Sequence, residues 1–114
     1  MRLLKFLFLS LVSILFISVQ LVFAEDTAID LEAGESLFGA NCSACHIGGG
    51  NSIVSDKNLK LEALQANSKD TVEAIILQVT NGKNGMPPFS AKLEDDEIKN
   101  VANYVLNQAK NNSW

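Results

Sequence analysis

The sequence predicts an all-α fold, and three observations carry that prediction. Apolar residues recur at helical spacing, as where Val72, Ile75, Ile76 and Val79 fall at i, i+3, i+4 and i+7. No segment alternates apolar and polar residues with the period of two that a half-buried strand requires. Capping and stop residues stand at the ends of the periodic segments. A chain of 114 residues holds one domain, which excludes a multidomain enzyme.

Met1-Arg2-Leu3-Leu4-Lys5 is a short positive segment, Phe6 to Val19 is uncharged and apolar, and Val22-Phe23-Ala24 places small residues where a signal peptidase reads. This pattern predicts a cleaved secretory signal over residues 1–24 and a mature domain over 25–114. The competing reading is a retained anchor, since the apolar stretch approaches the roughly 18 to 20 residues that span a bilayer. Glu25-Asp26 and the polar chain that follows favour cleavage.

In the mature domain, Asp30 can cap a helix over Leu31 to Asn41, with Gly34 and Phe38 on one face. Gly48-Gly49-Gly50-Asn51-Ser52 reads as a loop, and it lacks the glycine spacing and preceding strand of a phosphate cradle. Leu59 to Ala66 is a short helical stretch. Ser68 or Asp70 can cap the next helix, which Asn81-Gly82 stops. The last helix runs from Glu94 with Ile98, Val101, Ala102, Val105 and Ala109 on one face. Acidic residues suit its positive end, and Lys110 suits its negative one. Three main helices and a short one result.

The mature domain has seven basic residues against thirteen acidic ones, a net charge of −6. Such a body does not suit nucleic acid, whose phosphates demand a basic patch; a basic protein partner fits better. Its aromatics are only Phe38, Phe89, Tyr104 and Trp114, thin filling for a core, so a buried cofactor would supply missing apolar volume.

Cys42-Ser43-Ala44-Cys45-His46 is the segment that carries chemistry. A thioredoxin-like redox pair would need a βαβ setting that the pattern lacks, and zinc would need a second pair of ligands. C-x-x-C-H instead suits a haem, with two thiols adding to its vinyl groups and the adjacent imidazole reaching the iron. His46 is the only histidine. Met86 is the only methionine beyond the leader; Gly85 before it allows close backbone approach, and Pro87 after it disfavours helix. Met86 is thus the candidate second axial ligand. A thioether favours ferrous iron and raises the potential, and two protein ligands leave no open position for oxygen chemistry.

Over most of Asp30 to Trp114 the chain resembles the class I c-type cytochromes, and within them the cytochrome c6 (cytochrome c553) family. The resemblance rests on Gly34-Glu35-Ser36-Leu37-Phe38, Asn41 to His46, Asp56 to Leu59, Gln78-Val79, Asn81-Gly82-Lys83, Gly85-Met86-Pro87, Val101 to Val105 and Trp114. It implies a class I cytochrome c fold around one covalently bound haem c, held by Cys42 and Cys45, with iron ligated by His46 and Met86. Gly34 and Phe38 are expected to cross against Val101 and Tyr104. The implied role is a one-electron carrier, not an enzyme, taking electrons from cytochrome f of the cytochrome b6f complex to photosystem I. It implies a monomer in the thylakoid lumen, plastid or cyanobacterial, that docks transiently on membrane complexes.

Gln78 matches this family, whereas the related cytochrome c6A has an aliphatic residue there; its amide would tune the potential from beside the ring, or it is an ordinary helix surface residue. Two positions depart from the family. Lys92 stands where Arg is common, keeping the charge but losing bidentate geometry, so affinity for the photosystem could be weaker. Glu94 replaces a Ser cap, so the helix could begin at Asp95. The alternatives are a periplasmic cytochrome serving a respiratory oxidase or reductase, a ligand-binding or peroxide-using haem protein if Met86 does not ligate, and a thiol oxidoreductase.

Overall fold

The computed structural model describes residues 1–22 and 28–114, so the expected cleavage point after Ala24 lies outside the described residues. Helix α1 is Arg2–Val22. Its side chains from Leu3 to Leu11 are exposed, and none of its described residues belongs to the core. Among the described residues no helix is long and apolar enough to cross a membrane.

The rest is helical, as expected: α2 (Leu31–Asn41), α3 (Ser43–His46), α4 (Leu61–Ala66), α5 (Val72–Asn81) and α6 (Asp95–Lys110), with 3-10 turns at Ile47–Gly49 and Ser55–Lys57. Among the described residues the only β pairing is an isolated bridge between Lys83 and Met86. Asp30 caps α2 as predicted, its carboxylate accepting from the Ala33 N–H at 3.0 Å. The cap of α5 is Thr71, not Ser68 or Asp70. Its hydroxyl accepts from the Ala74 N–H at 3.2 Å, while Ser68 sits at φ 56, outside any N-cap geometry.

Two other boundaries also differ from expectation. The loop expected at Gly48–Ser52 begins inside a 3-10 turn, with Gly48 and Gly49 at φ 58 and 74. Leu59 lies outside α4 because its backbone pairs elsewhere: its N–H donates to Gly49 and its carbonyl accepts from the Trp114 indole. Glu94 does precede the first residue of α6, Asp95. The weak cap is offset by Glu97, whose carboxylate accepts from the Glu94 N–H at 2.9 Å.

The core forms where α2 and α5 pack on α6, which buries Ile98, Val101, Ala102, Val105, Leu106 and Ala109 on one face. At the α2–α6 crossing, a Cβ on Gly34 would overlap the Asn100 carbonyl and come within 2.9 Å of Tyr104 Cβ. Phe38 and Tyr104 pack with ring centroids 5.5 Å apart. The crossing pairs Gly34 with Asn100 and Tyr104, while Val101 is buried in the core beside it.

Candidate cofactor site

The core is hollow. A cavity of about 290 Å³ has Phe38, Leu64, Ile75, Val79, Phe89, Val101 and Val105 among its walls, all of them core residues. Its floor is apolar, while Asn51, Lys57, Lys69, Gln78 and Lys83 stand among its other walls, so a flat group with an apolar body and a polar edge suits it. The cavity therefore fits a bulky apolar group, as the shortage of aromatic residues predicts.

Cys42, Cys45 and His46 reach this cavity from the end of α2 and from α3, and Gln78, Gly85 and Met86 reach it from α5 and the loop after it. Sequence positions 32 or more residues apart are brought together, as the spacing arguments require. Both thiols are free. Cys42 is half-buried, and burial pushes its thiol up to about 11, so it is held neutral and protonated; Cys45 is exposed. Among the described residues no cluster of three or more His, Cys, Asp or Glu could hold a metal ion, and a zinc site is not assembled.

The His46 ring is oriented by a contact that the sequence does not display. Its Nδ1 lies 2.8 Å from the Gly50 carbonyl oxygen. A carbonyl can only accept, so Nδ1 carries the hydrogen and the Nε2 lone pair is free to ligate a metal. The only signal for Gly50 was its place in a glycine run.

Met86 sits in a tight hairpin. Its N–H and carbonyl pair with the carbonyl and N–H of Lys83, each at 3.0 Å, which holds it extended as Pro87 predicts. The close backbone approach expected at Gly85 occurs at Gly82 instead. Gly82 has φ 63, and a Cβ there would come within 2.7 Å of the Pro87 and Pro88 backbone. At Gly85 the near neighbour is the Ile53 side chain, 2.9 Å from where a Cβ would stand. The Gln78 amide donates to the Met86 sulfur at 3.6 Å, so Gln78 is not an ordinary helix surface residue.

Lys57, Lys69 and Lys83 also line the cavity. They bring positive charge to a hollow in an acidic domain, where carboxylate groups of a porphyrin would find partners; nothing in the periodicity marked them. Lys92 is exposed, with its ammonium 5.7 Å from the Phe89 ring centroid.

The chain is similar in sequence and fold to known proteins. A protein-family model described as cytochrome C oxidase, cbb3-type, subunit III matches residues 29–105. A cytochrome c6 of Gracilaria tenuistipitata var. liui is 55% identical over 94 residues, covering 82% of this chain and 83% of that protein. One of Cyanidioschyzon merolae is 60% identical over 83 residues, 73% of this chain and 79% of that protein. This chain belongs to the cytochrome c6 family. The solved cytochrome c6 of the diatom Phaeodactylum tricornutum superimposes with a TM-score of 0.70 at 51% identity, covering 72% of this chain and 97% of that one. Cytochrome c6A of Arabidopsis thaliana gives the same TM-score at 34% identity, over 75% and 96% of the two chains. As a cytochrome c6 family member the chain has the class I fold and carries one covalently bound haem c. It is an electron carrier, not an enzyme, and works by docking to partner complexes.

Proposed function

We propose that this cytochrome c6 family member takes single electrons from cytochrome f of the cytochrome b6f complex to photosystem I, in the thylakoid lumen, after a signal over residues 1–24 is removed. The observation that carries the site is the convergence of Cys42, Cys45, His46 and Met86 on one apolar cavity. Cys42 and Cys45 would hold the haem as thioethers, and His46 Nε2 and Met86 sulfur would fill its two axial positions. The haem supplies reversible one-electron exchange between ferric and ferrous iron.

The protein's own part is to hold geometry and set the field. The Gly50 carbonyl fixes the imidazole, and the Lys83–Met86 hairpin presents the sulfur. The Gln78 amide places the positive end of an N–H dipole on that sulfur, which favours the less positive ferrous state. Buried core residues such as Phe38, Ile75, Val79 and Val101 give the cavity an apolar wall. Ligation by both His46 and Met86 would leave the iron no open position and so disfavour ligand binding and peroxide chemistry. An α1 whose apolar side chains from Leu3 to Leu11 are exposed suits a removable leader.

The acidic domain supports fast, transient docking on basic sites of a membrane complex. A second reading, delivery of electrons to a respiratory oxidase in a periplasm, is favoured by the oxidase description of the matching family model. Flash photolysis of photosystem I with the purified, haem-loaded mature protein separates the two. Rapid, saturable reduction of the photo-oxidised centre supports the photosynthetic role. Failure to reduce it, with rapid oxidation by a cytochrome oxidase, supports the respiratory one.

A further inference from the structure

Trp114 follows the end of α6, yet its side chain does not pack only on the helices. Its indole meets Phe38 and Tyr104, with centroids 5.3 and 6.0 Å away. It also lies flat against Gly49: a Cβ on that residue would overlap the indole, coming within 2.8 Å of Cδ1. Gly49 is buried and held at φ 74, so the position is open to the ring only because no side chain is there. The indole Nε1 in turn donates to the Leu59 carbonyl at 2.9 Å.

Gly49 and Leu59 are themselves paired, the Leu59 N–H donating to the Gly49 carbonyl at 2.7 Å. This pair closes the segment from Gly50 to Asn58. Trp114 therefore grips both sides of the closure, one by packing and one by a hydrogen bond. The first residue of the closed segment is Gly50, whose carbonyl accepts from His46 Nδ1 at 2.8 Å. The segment also supplies Asn51, Ile53, Val54 and Lys57 to the cavity wall.

We infer that Trp114 is a positioning residue for His46, acting through Gly49 and Leu59 to hold the Gly50 carbonyl on the imidazole. This rests on His46 being an axial ligand. A ring that only filled space at the helix crossing would stabilise the whole domain evenly. A ring that clamps the Gly49–Leu59 pair protects the His46 Nδ1–H from solvent more than it protects the rest of the core.

The test is NMR hydrogen exchange on the ferrous, haem-loaded protein at one pH, comparing wild type, Trp114→Ala and Trp114→Phe. The probes are the His46 ring Nδ1–H and the backbone amide of Val101, which is buried in α6. Trp114→Ala is expected to speed exchange at His46 by tenfold or more with Val101 little changed, and Trp114→Phe, which keeps a ring but loses the donor, to give an intermediate effect. Equal acceleration at both probes, or none at His46, overturns the inference. If Trp114→Ala does not fold, Trp114→Phe decides by the same comparison. Failure of the ligation reading looks different, since wild-type His46 ring protons would then lack the ring-current shifts of an axial ligand.

Discussion

At the scale of single residues, the chemistry turns on the two sides of the cavity. Met86→Ala should still attach haem, because Cys42 and Cys45 are untouched, but it should bind carbon monoxide or cyanide readily where wild type resists. Gln78→Val removes the amide donor 3.6 Å from the sulfur and should lower the reduction potential. If losing it shifts the ferric–ferrous difference by as much as a whole hydrogen bond, about 1 kcal/mol, the drop is at most roughly 40 mV for one electron, on the scale of 59 mV per tenfold. A redox titration of the variant checks this, and an unchanged potential would remove Gln78 from the field at the iron. Cys42, Cys45, His46 and Met86 were legible because each is chemically scarce in the mature chain. Gly50 was not, since it acts through a backbone carbonyl that every residue possesses.

At the scale of elements, the loop between α5 and α6 depends on a glycine whose role differs from its sequence reading. Gly82 does stop α5, but its φ of 63 and the Pro87–Pro88 backbone above it also shape the Met86 hairpin. Gly82→Ala should destabilise the haem-loaded protein by about 1–3 kcal/mol from the backbone conformation alone, since φ 63 with ψ 178 is a region essentially reserved for glycine, with more from the clash. Lower thermal stability and easier displacement of Met86 by imidazole would be measured together. If stability falls while imidazole affinity stays constant, Gly82 serves the helix end and not the ligand loop. Helix positions were legible because burial on one face leaves a 3.6-residue period. Their ends were less so: Thr71 caps α5 in place of Ser68 or Asp70, and Leu59 leaves α4 to meet Trp114. Competing caps and long-range backbone pairing leave no local mark.

At the scale of the whole molecule, a core that borders the cofactor cavity is expected to couple folding to cofactor binding. Because Phe38, Leu64, Ile75, Val79, Phe89, Val101 and Val105 all border the cavity and would lose a packing partner with the ring, a haem-free Cys42→Ala/Cys45→Ala chain should lose its cooperative thermal transition, as followed by far-ultraviolet circular dichroism. A sharp transition in that chain would show that the helices pack without the ring. The mature domain's net charge of −6 should make its association with a basic docking site slow as ionic strength rises, because screening shortens the reach of steering. Stopped-flow or flash kinetics across a salt series would read that slope, and a flat slope would make the acidic surface merely solvating. The all-α class and the missing core volume were both legible from composition and period. The lysines at the cavity were not, since Lys57, Lys69 and Lys83 are far apart in sequence and share no pattern.

The central claim is that one cavity gathers a haem with His46 and Met86 as its axial pair. An optical redox titration of the purified, haem-loaded mature protein, run beside Met86→Ala, tests it most directly. The account predicts a high potential and the far-red band of sulfur-ligated ferric haem in wild type, both lost in the variant. A low potential without that band in wild type, or a variant indistinguishable from it, would contradict the account.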